Sequence, residues 1–158
     1  MRLFYAPVRN HAARTNTEKS IALMTGTPFR CIYLGDHPHL LPALIHLYRL
    51  EDQIQLLACA SNISEALEYT RSQAPHAFLV DFSSRDLWAL QAIRPLQQAA
   101  PQAVSLVMAA FSDQAARRIA TSWGSDALLP QDRLGEKLAP CLETLLCKKQ
   151  LQGEEQQQ

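Results

Sequence analysis

The sequence predicts one α/β domain built around a parallel sheet, and three observations support this. Five short apolar runs alternate along the 158 residues with segments of helical periodicity. The segments between the runs are long enough for the helical crossovers that parallel neighbours require. The third run, from Ala77 to Val80, is apolar throughout and stops at Asp81, as is typical of a buried parallel strand that ends in a loop.

The first two strand and helix units follow from apolar patterning and a capping signal. A strand is predicted from Arg30 to Leu34, and the helix after it tolerates Pro42 only in its first turn. Ile54 to Cys59 is the second apolar run. Asn62, with Glu65 three residues later, is typical of an N-cap that opens the next helix.

The unit after Asp81 contains a proline. Leu87 to Ala100 is helix-forming, but Pro95 should kink or split this helix near Arg94. Val104 to Met108 is the predicted fourth strand.

The last two helices enclose a short fifth strand, Ala127 to Leu129. Ser112 is a candidate N-cap for the helix before that strand, and Gly124 is well placed to end it. One apolar face of the final helix carries Leu138, Cys141, Leu142 and Leu145.

Five such units predict a flavodoxin-like (βα)5 three-layer sandwich with the strand order 2-1-3-4-5. Strands one and three are then neighbours, so Asp36 and Asp81 should face one crevice. We expect a domain over residues 29–149, a flexible arm over 1–28 and a disordered tail over 150–158, which is rich in Gln and Glu.

Composition excludes several classes of function. Fifteen basic and fifteen acidic residues cancel, so no overall charge attracts nucleic acid or an anionic membrane. No apolar run approaches the roughly 20 residues that span a bilayer. The four cysteines lack CxxC spacing, which favours a reduced, cytoplasmic protein. We interpret His37, His39 and His46 as surface residues and not as metal ligands.

From about Arg30 to Leu146, the chain resembles the receiver domain of bacterial two-component response regulators. The order of the five units and the spacing of the strand-end acids carry this resemblance. Gly35-Asp36-His37-Pro38 is similar to the acid-acid-His-Pro opening of receivers with LuxR-type output domains. The segment from Gly124 to Pro130 looks like the family's Gly-Ala-x-x-(aromatic)-Leu-x-Lys segment.

The resemblance implies phosphoryl transfer to the third-strand aspartate, assisted by Mg²⁺, a lysine and a Ser/Thr hydroxyl. Asp81 matches the phosphoacceptor, and Asp36 matches the second acid of the metal-binding pair. The other functional positions are degenerate here, namely the first acid, the hydroxyl, the switch aromatic and the lysine, which are replaced by Gly35, Ala109, Leu128 and Gln131. We therefore predict a pseudo-receiver that is not an enzyme and has no cofactor, with at most weak Mg²⁺ binding by Asp36 and Asp81.

The favoured function is a phosphorylation-independent signalling or regulatory module that binds another protein, a second copy of itself included. The resemblance places the interaction face on the fourth helix, fifth strand and fifth helix of the family, with Trp123, Leu128, Arg133 and Lys137 as its residues. We expect no membrane association. We also expect no sequence-specific DNA binding, because no helix-turn-helix follows the domain.

Other interpretations remain open at this stage. The first is a stand-alone response regulator phosphorylated on Asp81 with Mg²⁺, in which Arg85 or Arg133 replaces the lysine. The second is a small-molecule sensor whose ligand lies near Asp36, Asp81 and Ala109. In purely structural interpretations Asp81 caps nearby backbone N–H groups, Asp36 is a helix N-cap, and Arg85 pairs with one of these acids.

Overall fold

The computed structural model describes residues 26–156. The predicted arm therefore lies almost wholly outside the described residues. Five parallel strands form one sheet in the order β2-β1-β3-β4-β5, as predicted. The strands are β1 (Phe29–Leu34), β2 (Ile54–Ala60), β3 (Ala77–Asp81), β4 (Val104–Ala109) and β5 (Ala127–Pro130).

Helices cover both faces of the sheet. They are α1 (Leu40–Leu47), α2 (Ile63–Gln73), α3 (Trp88–Gln91), α4 (Ile93–Ala99), α5 (Gln114–Ser122) and α6 (Leu134–Gln156). A turn over Arg85–Leu87 with non-helical backbone angles at Asp86 precedes α3, and a short 3₁₀ turn over Gln131–Arg133 precedes α6. None of the helices within residues 26–156 is both long and apolar enough to cross a bilayer.

The sheet divides the core into two layers because alternate side chains of each strand point to opposite faces. In β3, Phe78 and Val80 pack with α2 to α5, whereas Ala77 and Leu79 pack with α1 and α6. All five residues of β3, including Asp81, are fully buried. The central strand therefore carries a carboxylate to the edge of a dry core.

The N-caps of α2 and α5 were both predicted from the sequence, and only the first is confirmed. As predicted, the Asn62 side chain accepts a hydrogen bond from the Glu65 N–H at 2.9 Å. The predicted Ser112 cap is wrong, because Asp113 caps α5 by accepting the Ala116 N–H at 2.8 Å. A carboxylate one residue later has replaced the hydroxyl as the acceptor at the positive end of the helix.

The helix around Pro95 is split, but the break lies at Ala92 between α3 and α4, and not near Arg94. Pro95 is the third residue of α4, where a backbone N–H has no intrahelical acceptor in any case. At the other end of the chain, α6 continues to Gln156, so residues 150–156 are helical although the sequence predicted a disordered tail. Gln, Glu and Lys are good helix formers and extend a helix that the core has already nucleated.

Candidate functional site

The carboxyl ends of β1 and β3 lie side by side, with Leu34 opposite Val80 in the parallel register. Asp36 and Asp81 therefore lie at the same edge of the sheet, as the strand order predicts. Their environments differ sharply, because Asp81 is fully buried and Asp36 is exposed. Each carboxylate also has its own hydrogen-bond donors, so the two acids do not form one open pocket.

Both oxygens of the Asp81 carboxylate already accept hydrogen bonds. The Tyr33 hydroxyl donates to Oδ2 at 2.9 Å. The backbone N–H of Ser83 donates to Oδ1 at 2.9 Å, and its hydroxyl donates to the same oxygen at 2.7 Å. This arrangement matches the structural interpretation in which Asp81 caps a neighbouring backbone N–H.

Tyr33 reaches Asp81 from the next strand, where its side chain is fully buried. Its hydroxyl oxygen also accepts the His37 N–H at 3.3 Å. Burial, followed by the charge of Asp81 and the hydrogen bond to it, raises the pKa of Tyr33 above its ordinary value. The phenol is therefore a stable proton donor to the buried carboxylate.

Gly35 makes room for this tyrosine. A Cβ atom at Gly35 would lie 2.6 Å from Tyr33 Cζ and 2.7 Å from Asp81 Cβ, which is closer than real Cβ contacts. The glycine at position 35 and the buried Tyr33 are thus sterically linked. A side chain at position 35 and the tyrosine ring exclude each other.

The Asp36 carboxylate is bound to the loop that follows β3. It accepts hydrogen bonds from the Arg85 backbone N–H and, at 2.8 Å, from the Trp88 indole N–H. These two donors, the Trp88 N–H above all, hold the pKa of Asp36 below its usual range. Asp36 is not the predicted N-cap of α1, because His39 occupies that position without a side-chain cap.

Comparison with known proteins identifies the fold. A response regulator of the LuxR family from an Aurantimonas species aligns at 19% identity, over 77% of this chain and 87% of its own, with a TM-score of 0.65. The chain has the receiver fold. A Burkholderia pseudomallei response regulator with a phosphorylated aspartic acid and a calcium ion aligns at 22% identity, over 80% and 72%, with a TM-score of 0.61. A CheY-like receiver from Methanospirillum hungatei aligns at 15%, over 75% and 97%, with a TM-score of 0.58.

No family model and no curated protein sequence matches the chain. The likeness is therefore one of backbone architecture. At identities of 12–22% in the structures compared, it does not carry the chemistry of those proteins to this site.

The other residues that the sequence analysis predicted at degenerate positions, as far as residues 26–156 show, present no group suited to phosphate. Ala109 ends β4 and is 3% exposed, and Gln131 opens the 3₁₀ turn after β5. Arg133 is engaged in an exposed ion pair with Glu136 at 3.2 Å. Arg85 meets Asp36 through its backbone, and its guanidinium forms no ion pair with either acid in the described part of the chain.

The two acids offer a magnesium ion few unengaged lone pairs. The oxygens of Asp36 and Asp81 already accept N–H and O–H groups, and a magnesium ion would have to compete with these donors. Between residues 26 and 156, no group of three or more His, Cys, Asp or Glu side chains is placed to hold a metal. His37 and His39 are exposed, and His46 forms a surface contact with Glu51 at 3.3 Å.

The predicted interaction face needs one correction. Leu128 is 6% exposed and packs inside the core layer of α2 to α5, so it has almost no surface to offer a partner. Arg133 and Lys137 are exposed, and Trp123 is half-buried. The side chain of Leu128 points inward because β5 alternates across a sheet that is covered on both faces.

Sequence reasoning missed Tyr33, Ser83 and Trp88 as determinants of the site. The available signal was Tyr33 itself, an aromatic residue with a polar hydroxyl in an apolar strand, two residues before Gly35. A buried tyrosine hydroxyl usually has a hydrogen-bond partner, and Asp81 was a candidate acceptor on the neighbouring strand.

We expect Tyr33→Phe to lower the free energy of unfolding at neutral pH by about 1–3 kcal/mol, because a buried carboxylate oxygen loses its donor. Wild-type stability should fall as pH rises above about 10, where the unfolded chain ionises Tyr33 before the folded protein does. Tyr33→Phe has no phenol to ionise at this position. The difference in free energy of unfolding between wild type and variant should therefore become smaller above about pH 10. Urea unfolding at several pH values measures both effects.

Tyr69→Phe is the matched control, because that half-buried tyrosine hydroxyl has no hydrogen bond among residues 26–156. Equal losses of stability in the two variants would contradict the assigned bond between Tyr33 and Asp81.

We expect Gly35→Asp alone to destabilise the protein strongly, by several kcal/mol, because its Cβ overlaps the Tyr33 ring. Adding Tyr33→Ala should recover part of this loss, because it removes the overlap with the ring and leaves the overlap with Asp81 Cβ. A double-mutant cycle measured by chemical denaturation gives the coupling between the two positions. Additive effects would show that Gly35 and Tyr33 do not exclude each other.

Proposed function

We propose that this chain is a pseudo-receiver, a receiver-fold module of two-component-type signalling that binds a protein partner without phosphorylation. One observation carries the proposal. The carboxylate at the phosphoacceptor position, Asp81, is fully buried and hydrogen-bonded through both oxygens to Tyr33 and Ser83.

Phosphorylation of an aspartate requires a carboxylate oxygen to approach phosphorus in line with the leaving group. The Tyr33 hydroxyl and Ser83 lie against the Asp81 oxygens, so a phosphodonor reaches neither oxygen without displacing them. Such displacement leaves buried polar groups without partners, which costs free energy. The geometry favours a carboxylate that serves structure.

Positions 109 and 131 also lack the groups that would stabilise a transferred phosphoryl group. Ala109 has no hydroxyl, and Gln131 has no ammonium group. Asp36 is engaged by Arg85 and Trp88 and does not present a metal-binding face. A phosphoryl group on Asp81 would therefore lack the contacts that distinguish two conformations, and without differential contacts it shifts no equilibrium.

The module would act through its surface, which this proposal places around α5, β5 and the first half of α6. Trp123 is half-buried there, and Arg133 and Lys137 are exposed. A groove of about 450 Å³, which Lys137 also lines, lies between Leu129 of β5 and Pro140, Cys141 and Leu145 of α6. Apolar grooves with a charged rim are common docking features of proteins. A protein partner, including a second copy, fits this chemistry.

The free thiols and the burial of Cys31 support the proposal that the protein acts in a reducing compartment such as the cytoplasm. The four cysteines, all within residues 26–156, are free, and burial raises the pKa of the Cys31 thiol to about 12. Such a thiol behaves as a small core hydrophobe and is unreactive.

The second candidate is a working response regulator that is phosphorylated on Asp81 with Mg²⁺. Two observations favour it. Asp81 keeps its position at the end of β3, and a solved structure of similar fold contains a phosphorylated aspartic acid and a calcium ion. It requires Tyr33 to leave Asp81 during phosphorylation.

The two candidates differ in a titration with Mg²⁺ followed by beryllium fluoride, a phosphoryl mimic. We expect no saturable change in melting temperature or tryptophan fluorescence, because the Asp81 oxygens are engaged. Asp81→Asn is the control. A saturable response in the wild type that Asp81→Asn abolishes would contradict the pseudo-receiver and support the phosphoacceptor.

A further inference from the structure

The exposed carboxylate of Asp36 ties down the segment Arg85–Trp88, which we call the flap. One carboxylate oxygen accepts the Arg85 N–H, and the other accepts the Trp88 indole N–H at 2.8 Å. Both ends of the flap are thereby attached to a single residue about 50 positions earlier in the chain.

No other hydrogen bond in the described part of the chain joins the flap to a distant residue. The Leu87 N–H bonds to the Ser84 carbonyl at 3.0 Å, and the Gln91 side chain bonds to the Asp86 carbonyl at 2.9 Å. These contacts are local and would move with the segment. Asp36 is therefore the only distant hydrogen-bonding anchor of the flap within residues 26–156.

The flap is strained in its closed form. Asp86 has φ of 54° and ψ of 25°, and Leu87 has φ of 57° and ψ of 29°, so two consecutive non-glycine residues are left-handed. The Cβ of an L-residue crowds the following carbonyl in this region, and a bulky leucine gains no compensating local hydrogen bond from its side chain. Such a conformation persists only where surrounding contacts enforce it.

The segments on both sides of the flap are fixed to the core. Ser84 is buried, and its hydroxyl accepts the Ala89 N–H at 3.1 Å. Ala89 and Leu90 are fully buried. Release of Asp36 would therefore remove the distant hydrogen bonds of the flap, so that only the packing of Leu87 and Trp88 against the core opposes the strain, and would leave the rest of the domain in place.

We propose that the flap is a strained segment with a closed and an open conformation. Its two hydrogen bonds to Asp36 stabilise the closed conformation, and it opens locally when Asp36 loses them. Opening relaxes the backbone and exposes the side chains of Leu87 and Trp88, which are half-buried in the closed form. Because Asp36 is exposed and accepts hydrogen bonds without donating any, the input it fits is a cationic side chain of a partner protein. The device involves neither Asp81 nor Tyr33, so it stands apart from the proposed function.

The test compares Asp36→Ala with its parent in a Trp123→Phe background, which leaves Trp88 as the only tryptophan. In the Asp36 variant we expect red-shifted Trp88 emission and stronger quenching by acrylamide. Amide exchange of Leu87 and Trp88, measured by NMR, should be at least about tenfold faster, because the two lost bonds to a charged group favoured the closed form. Neither of these amides bonds to Asp36, so faster exchange reports opening of the flap.

Asp132→Ala is the matched control, because this exposed acid has no hydrogen bond or ion pair among residues 26–156, and it should leave all readouts unchanged. Exchange at Leu90 and Val107 should also stay at the parent rate. Unchanged emission and exchange at Trp88 in Asp36→Ala would overturn the proposal. Faster exchange throughout the sheet would also overturn it, because Asp36 would then support global stability and not a local flap.

Discussion

The hydrogen bond from Tyr33 to Asp81 is the contact on which the rest of the site depends. It joins β1 to β3 at the carboxyl edge of the sheet and satisfies a carboxylate with no access to solvent. The tyrosine ring and the Asp81 Cβ also limit what position 35 can hold, because only glycine leaves them enough room. The two bonded residues thereby account for the glycine between them.

The fold and the site are separable in this chain. The receiver architecture needs five apolar strands, their crossovers and two buried layers, all of which are intact. The acids near the ends of β1 and β3 serve as hydrogen-bond acceptors for the protein itself, Asp81 inside the core and Asp36 on the surface. Polar groups at the end of a buried strand must find partners, and internal donors satisfy them when no metal or phosphate does.

Sequence patterns predict the sheet well because apolar runs and crossover lengths leave few arrangements of parallel strands. They also predict the Asn62 cap, whose partner is three residues away. They fail where a neighbouring residue competes, as Asp113 does with Ser112, or where three-dimensional packing decides the outcome. The bonds from Tyr33 to Asp81 and from Trp88 to Asp36 join residues 48 and 52 positions apart, and only the register of β1 against β3 brings them together.

The central claim is that internal donors close the Asp81 carboxylate to phosphorylation. The most direct test is ¹³C NMR of protein labelled at the aspartate side-chain carboxyls, with the Asp81 resonance assigned through Asp81→Asn. The protein is observed before and after addition of acetyl phosphate and Mg²⁺. Our account predicts an unchanged Asp81 resonance. A new Asp81 signal that forms only with Mg²⁺ would contradict this account. It would show that Tyr33 moves away from the carboxylate and that Asp81 is phosphorylated.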